Sequence, residues 1–227
     1  MRVLYAGTPE IAVPGLEALA NRHEVVGVLT NPDRGTGRGR KVRFSPVKTK
    51  ALDLGLTVVQ PETLRGEARE SVASLDPELL VCVAYGRIFG PKFLSLFPRG
   101  GINMHPSLLP RHRGPAPIPA AILAGDRETG ITIQQLAREM DAGDILLQQK
   151  RPLTGRETTA ALTAWAAEEG AKMLVEAVDL IEAGREEPVA QDPEKATYCS
   201  FLSKEESWID WRESAVEIDR RVRAFNP

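Results

Sequence analysis

Cysteine is scarce in this sequence, because Cys82 and Cys199 are the only two among 227 residues and they lie far apart. Without a CxxC spacing or a set of closely spaced cysteines, the chain predicts neither a zinc site nor a disulfide framework. It also lacks any run of about 18 uninterrupted apolar residues, and no long apolar segment follows Met1. We therefore expect a cytoplasmic protein with no membrane helix and no bound metal.

Excess charge of one sign is also missing. The formal net charge is -2 and the pI is about 6.0, so no global field draws the protein onto nucleic acid or a membrane surface. Any such binding has to come from a local patch. A hydrophobic content of 42% is enough to bury a core, so we do not expect the chain to be disordered as a whole.

A dinucleotide-binding fingerprint is absent as well. The sequence predicts a strand over Met1–Ala6, a helix over Pro9–Ala20 and a strand over Val25–Leu29, which together form a βαβ unit of a parallel sheet. Pyrophosphate binding would require a G-x-G-x-x-G turn after the first strand, whereas the turn here, AGTPEIAVPG, has one early glycine. The sequence therefore predicts no NAD.

Later segments predict how the sheet continues. Glu78–Ala84 is continuously apolar, as is typical of a strand buried in a parallel sheet. The strands predicted over Gly130–Leu136 and Ile145–Gln149 are joined by the tight turn MDAGD, so this pair is expected to be antiparallel. We predict an α/β fold with a Rossmann-like mixed, mostly parallel sheet and helices on both faces.

The boundary of the domain follows from a change in composition. A long helix is predicted over Glu157–Ala183, and beyond Pro188 the chain becomes polar, with a last helix over Ala215–Ala224. Residues 1–187 are therefore expected to form the main domain and residues 188–227 a linker or tail.

The stretch NPDRGTGRGRKVRFSPVKTK, residues 31–50, is unusually basic. From Arg34 onward it has seven Lys or Arg residues, no acid and three interspersed glycines. Such a segment is either a solvated surface loop or a mobile loop that attracts phosphates. It lacks the G-x-x-x-x-G-K-[ST] spacing of a nucleotide-binding P-loop.

The stretch GINMHPSLLPRHRG, residues 101–114, has a cluster of reactive side chains. Asn103, His105 and Ser107 occupy alternate positions at the end of an apolar strand, so an extended backbone would point all three to one side. An amide, an imidazole and a carboxylate, the last from Asp141 in MDAGD, suit direct acyl transfer. Asn103 would donate to the oxyanion, and Asp141 would orient His105 and keep it cationic.

Two alternatives use the same stretch. Ser107 could act as a nucleophile, but it lies two residues from the histidine and not on a G-x-S-x-G elbow. His105 and His112 could bind a metal, but a spacing of seven across a proline-rich loop does not fit a ligand pattern. His23 and His112 are both expected at the surface.

The stretch NMHPSLLPRHRG resembles the N-x-H-x-S-L-L-P-x-x-R-G signature of the folate-dependent formyltransferases, and MDAGDIL resembles their D-x-G-D loop. The resemblance extends over most of the chain, from AGTPE through VAYG to the tail. It implies the formyltransferase fold, 10-formyltetrahydrofolate as formyl donor, and catalytic roles for Asn103, His105 and Asp141. It also implies a folate site formed by Ser107, Leu108, Leu109, Pro110, Val83, Tyr85 and Gly86.

The basic stretch resembles the loop of those family members that formylate the α-amine of methionyl initiator tRNA. The resemblance implies that this tRNA is the acceptor and that it contacts Arg34, Arg38, Arg40 and Lys41. The sequence ends where those members continue into an OB-like domain, so we expect a fragment that binds tRNA weakly, and a monomer. A sugar-nucleotide or ribonucleotide amine as acceptor, and a non-catalytic RNA-binding module, are the alternatives.

Overall fold

The computed structural model describes residues 1–36 and 41–226. These residues form two compact units, one of Met1–Met104 with Ala171–Glu186 and one of His105–Gly170 with Glu187–Pro227. Among the helices of the described ranges, none has the length and apolar character required to cross a membrane.

Strands and helices alternate along most of the first unit. In chain order they are β1 (Arg2–Gly7), α1 (Val13–Arg22), β2 (Glu24–Leu29), β3 (Arg34–Thr36), β4 (Lys41–Arg43), α2 (Pro46–Asp53), β5 (Val58–Val59), α3 (Glu67–Ala73), β6 (Leu79–Val83), α4 (Pro91–Leu94) and β7 (Gly101–His105), the last residue of which belongs to the second unit.

Five of these strands are parallel neighbours in the order β5-β2-β1-β6-β7. β6 lies between β1 and β7, and all five of its residues are buried, which explains its continuous apolar sequence. Because the strands are parallel, their carboxyl ends lie along one edge of the sheet. Ligands bind at this edge in open α/β sheets.

The second unit begins with His105 and is built on an antiparallel pair of strands. Its elements are α5 (Pro117–Ala124), β8 (Glu128–Gln135), β9 (Ile145–Pro152), the first half of α6 (Thr159–Ala183) and α7 (Ala215–Ala224). β8 and β9 pair from Glu128↔Pro152 to Gln134↔Ile145. This pair and the parallel strands of the first unit confirm the predicted α/β class with mixed, mostly parallel strands.

Two local predictions differ from the structure. The first helix starts at Val13, because Glu10–Ala12 forms a 3-10 turn and Pro14 occupies the first turn of α1. A helix from Pro9 would place Pro14 in its interior, where the missing N–H and the ring are unfavourable. The basic stretch, which was expected to be a loop, contains a short antiparallel pair of strands, β3 and β4. Its glycines left no strand pattern in the sequence.

Candidate active site

His105 ends β7 and is 4% exposed. Its Nε2 lies 2.9 Å from the carbonyl oxygen of His112. Since a carbonyl oxygen only accepts, Nε2 carries the hydrogen and donates it. Nδ1 lies 3.6 Å from Oδ1 of Asp141. The structure therefore brings together His105 and Asp141, two residues that are 36 positions apart in the chain, and leaves Nδ1 as the ring atom facing the carboxylate.

The protonation state of His105 differs from the sequence-based expectation. Burial lowers the pKa of His105, and although Asp141 raises it, the effect of burial is larger. The imidazole is therefore neutral at pH 7, with its hydrogen on Nε2. The expectation that Asp141 keeps His105 cationic was wrong, because the sequence shows the carboxylate but does not show how deeply the ring is buried.

Asp141 is held by hydrogen bonds to both of its carboxylate oxygens. The backbone N–H of Gly114 donates to Oδ2 over 2.9 Å, and the amide of Gln134 donates to Oδ1 over 2.9 Å. Gln134 is 2% exposed, so its amide has little freedom to turn away. Asp141 also has a φ of +53°, which is uncommon for a residue with a side chain. The carboxylate is thus fixed in orientation before any substrate binds.

Asn103 lies in the middle of β7, is half-buried and pairs with Cys82 of β6. It is two residues before His105 on the same strand, so the alternation of a strand places both on one side.

Ser107 does not have the contacts of a nucleophile. It is fully buried, and its hydroxyl donates to the backbone oxygen of Arg111 over 2.7 Å. Its own carbonyl accepts from the hydroxyl of Thr132 over 2.7 Å. The hydroxyl hydrogen is thus directed to a carbonyl and not to His105, which argues against covalent catalysis by Ser107.

The residues that follow Ser107 form a fixed turn on the second unit. The amide of Gln148 donates to the carbonyl of Leu109 over 3.0 Å, and the carbonyl of Pro110 accepts from the N–H of Thr197. Leu109 is buried, whereas Leu108 and Pro110 are partly exposed. Leu108 and Pro110 therefore offer surface to a ligand, and Leu109 anchors the turn.

The turn after β6 presents mainly backbone to the surface. The side chains of Val83 and Tyr85 are each 1% exposed, whereas Ala84 and Gly86 are exposed. Gly86 has a φ of +81°, a conformation that favours glycine. Burial raises the pKa of Tyr85 to about 12, and its hydroxyl has no hydrogen-bond partner among the described residues.

Asn31 connects the carboxyl ends of four parallel strands in the first unit. Its side-chain amide donates to Oγ1 of Thr8, after β1, over 3.0 Å and to the carbonyl of Tyr85, after β6, over 2.8 Å. Its Oδ1 accepts from Nε of Arg87 over 2.6 Å. Gln60, after β5, donates to the Asn31 carbonyl over 2.8 Å. The side chain thus holds the Tyr85 turn against the strand ends.

An ion pair closes the base of the basic stretch. Lys48 in α2 pairs with Asp33, and Gln60 donates to the same carboxylate over 2.9 Å. The hydrogen bond from Gln60, which has the larger effect, and the contact with Lys48 hold the pKa of Asp33 below its usual value. We call Asp33, Lys48 and Gln60 the clasp of this stretch.

The predicted tRNA contacts are only partly described. Arg34 begins β3 and Lys41 begins β4, and Arg34 pairs with Arg43 while Lys41 pairs with Thr36. Arg38 and Arg40 lie outside the described residues.

His112 is buried rather than on the surface. It is 8% exposed, and its Nε2 lies 2.7 Å from Oδ2 of Asp126, whose Oδ1 accepts from Arg111. Although burial raises the pKa of Asp126, the hydrogen bonds of Arg111 and His112 bring it below its usual value. The backbone carbonyl of His112 accepts from Nε2 of His105. His112 therefore supports the site instead of facing solvent.

Sequence reasoning missed the supporting residues Gln134 and Gln191. The amide of Gln191 donates to the backbone oxygens of Asp141 and Gly143. A glutamine in a strand or in a polar tail has no distinguishing sequence signal, so only the three-dimensional contacts reveal it.

This site and fold define a class of enzyme. Residues 1–178 match the formyl transferase family, and residues 202–227 match the formyl transferase C-terminal domain. The chain belongs to the formyl transferase family. Over its whole length it is 47% identical to the methionyl-tRNA formyltransferase of Treponema denticola and 47% identical to that of Methylobacillus flagellatus, and it covers 73% and 75% of those proteins.

Solved structures show the same fold at low sequence identity. An N-formyltransferase from Helicobacter canadensis, in complex with folinic acid and dTDP-3-aminofucose, matches with a TM-score of 0.77 and 23% identity over 98% of this chain and 80% of its own. HypX from Aquifex aeolicus, in complex with tetrahydrofolic acid, matches with a TM-score of 0.73 and 20% identity over 99% of this chain and 34% of its own.

Proposed function

We propose that the protein transfers the formyl group of 10-formyltetrahydrofolate to the α-amine of methionyl initiator tRNA. Relatives that are 47% to 48% identical over the whole chain are methionyl-tRNA formyltransferases. The structural observation that carries the proposal is the pair of His105 Nδ1 and Asp141 Oδ1, 3.6 Å apart, with no activated nucleophile at Ser107.

The protonation of this pair suggests how an amine is received. Neutral His105 offers the lone pair of Nδ1, because Nε2–H is bonded to the His112 carbonyl. Nδ1 and Oδ1 of Asp141 are then two acceptors that face each other. An amine that approaches both atoms from one side can donate one N–H to each, and the attacking α-amine is such a group. His105 would act as general base, a role typically worth about 10² to 10⁴ in rate.

The reaction then balances without a covalent enzyme intermediate. The α-amine nitrogen forms a bond to the formyl carbon, and its proton passes to His105 Nδ1. The side-chain amide of Asn103 donates to the oxyanion of the tetrahedral intermediate. The bond between the formyl carbon and N10 breaks, and N10 takes the proton from His105. The products are formylmethionyl-tRNA and tetrahydrofolate.

Substrate contacts complete the proposal. Val83, Tyr85 and Gly86, through their turn, and the residues from Ser107 to Pro110 would bind the folate. Arg34, Arg38, Arg40 and Lys41 would bind tRNA phosphates, since phosphate contacts supply much of the affinity for nucleic acids. Because initiator tRNA is used where translation takes place, the reaction belongs to the cytoplasm.

An acceptor competition tests the function. The purified protein is given 10-formyltetrahydrofolate with methionyl-tRNA, with a dTDP-amino sugar or with a ribonucleotide amine, and formyl transfer is measured. We expect transfer to methionyl-tRNA. The sugar nucleotide is the second candidate, because the Helicobacter canadensis protein binds dTDP-3-aminofucose. Faster transfer to it would identify the other acceptor, and no formyl loss at all would indicate a non-catalytic RNA-binding protein.

Replacement of Asn103 tests its place in the site. Asn103→Ala should lower kcat by about 10² to 10³, because one oxyanion donor is lost. Asn21→Ala, an exposed position on α1, is the matched control and should keep wild-type turnover. Near-normal kcat in Asn103→Ala would remove Asn103 from the reaction.

A further inference from the structure

Gln191 lies in the segment that follows α6, outside every helix and strand, yet its amide contacts the turn that contains Asp141. We propose that Gln191 is a positioning residue that fixes the Asp141 turn for proton transfer at His105. The inference rests on the proposed function, because it assigns Gln191 a part in the same reaction. Gln191 itself need not touch a substrate.

The donor side of the amide is directed at the turn. Nε2 lies 2.7 Å from the backbone oxygen of Gly143 and 2.9 Å from that of Asp141. It also lies 3.2 Å from Oε1 of Gln134. An amide nitrogen has two hydrogens, and the two shortest distances go to the two backbone oxygens on either side of Ala142. Gln191 therefore clamps the turn by its backbone.

The clamp matters because the turn has little room to readjust. Asp141 has a φ of +53°, and a Cβ on Gly143 would lie 1.8 Å from the backbone oxygen of Gln135. A conformation of this kind persists only when its surroundings hold it. The carboxylate of Asp141 lies beside His105 and is attached to the backbone of this turn. A shift of the turn therefore moves the carboxylate with it.

The acceptor side of the amide is fixed by Arg113. Oε1 of Gln191 accepts from Nε over 3.0 Å and from Nη2 over 2.7 Å, a two-point contact. Arg113 is 5% exposed, and Nη1 also donates to the hydroxyl of Tyr198. Because the guanidinium presents only donors, it forces Oε1 toward itself and leaves Nε2 facing the turn. The orientation of the Gln191 amide is thus determined by contacts and not by rotamer preference.

Asp141 also influences the pKa of His105. Burial lowers the pKa of His105, the Asp141 carboxylate and the hydrogen bond to the His112 carbonyl raise it, and the His112 ring lowers it. If the turn loosens and the carboxylate moves away, the pKa of His105 falls further. The chain has only three histidines, His23, His105 and His112, so a histidine NMR titration resolves each ring without acceptor or donor present.

Two variants of the full chain separate the clamp from general support of the fold. Gln191→Ala removes the donors and the acceptor. Gln191→Glu keeps an acceptor for Arg113 but presents carboxylate oxygens, which cannot donate, to the turn. Glu194→Ala, an exposed position three residues further along the segment, is the control. The readouts are kcat and KM for both substrates, the NMR titration of His105, and Tm.

We expect Gln191→Ala to lower the pKa of His105 and to reduce kcat by about 10- to 100-fold, as for a small misplacement of a catalytic group. KM for methionyl-tRNA should stay near the wild-type value. Gln191→Glu should lose kcat to a similar extent at near-wild-type Tm. An unchanged His105 titration in Gln191→Ala, or wild-type kcat in Gln191→Glu, would overturn the inference. The titration decides the matter even if another acceptor replaces methionyl-tRNA.

Discussion

Two of the three histidines, His23 and His105, have surroundings that disfavour the protonated ring. Burial is the largest influence on both, and it lowers the pKa of His23 and of His105 below the usual 6.5. His23 was expected at the surface, yet its side chain is only 2% exposed. It lies between Asp179 and Glu182, whose carboxylates also pair with Arg22 and the α-amino group of Met1.

These lowered pKa values predict that stability depends on pH with a definite sign. The unfolded chain takes up protons on its histidines as pH falls through about 6.5, whereas the folded protein resists them. The unfolded state therefore binds more protons, and the free energy of unfolding decreases as pH falls through that value. His23→Gln should lessen the decrease. Urea unfolding at about pH 8 and about pH 5.5 measures it, and an equal decrease in the variant would contradict the assignment to His23.

At the residue scale, the sequence predicted that His105 and Asp141 lie together, as they do, but it did not predict their surroundings. The alternation of Asn103 and His105 follows from strand geometry, and Asp141 stands out in a short turn. The neutral state of His105 depends on burial by residues distant in sequence. The proposed role of Gln191 depends on the contacts of its side-chain amide, and no local sequence pattern encodes them.

At the scale of elements, the turn that ends in Gly114 is joined to the segment after α6. Arg113 donates its N–H to the carbonyl of Thr197 over 2.8 Å, and Cys199 donates to the carbonyl of Arg113 over 2.8 Å. The N–H of Gly114 holds Asp141. A Cβ at this position would lie 2.2 Å from the carbonyl oxygen of Cys199, and φ is +117°. Glycine is therefore required by both space and conformation.

Gly114→Ala should consequently impair both stability and turnover. Forcing a methyl group into this contact typically costs about 1 to 3 kcal/mol, and the displaced backbone loosens the bond to Asp141. Urea unfolding and kcat measure the two effects. Gly90→Ala, where a Cβ has no neighbour within 4 Å, is the control. Wild-type kcat in Gly114→Ala would show that the Gly114 N–H is dispensable.

The main elements could be predicted because their patterns are local. β6 has an unbroken apolar run, the MDAGD turn indicates an antiparallel return, and α7 has the predicted bounds Ala215–Ala224, with Ser214 and Glu217 forming its capping box. The β3–β4 pair could not be predicted, because three-residue strands rich in glycine and arginine have no alternation to detect.

At the scale of the whole molecule, charge is locally concentrated rather than in excess. The net charge of -2 coexists with seven cations and no acid between Arg34 and Lys50. Electrostatic attraction of tRNA should therefore depend on this stretch and not on the protein as a whole.

Replacing Arg38 and Arg40 together with Ala should weaken tRNA binding with little effect on the folate. Each lost phosphate contact should reduce the slope of log affinity against log salt by about 0.7 to 0.9. Titration with methionyl-tRNA at several salt concentrations measures the slope, and KM for 10-formyltetrahydrofolate should not change. Arg185→Ala, an exposed arginine elsewhere, is the control. An unchanged slope in the double variant would place the tRNA elsewhere.

The clasp of Asp33, Lys48 and Gln60 should allow the segment between Asp33 and Lys48 to be replaced by another segment. Its two ends are fixed by side-chain contacts that belong to the strand ends and to α2, so a segment of another length can be grafted there. Closing such a loop costs only about 0.6 kcal/mol for each doubling of its length. Under the proposed function, exchange of this one segment should therefore change the acceptor preference and leave the folate chemistry intact.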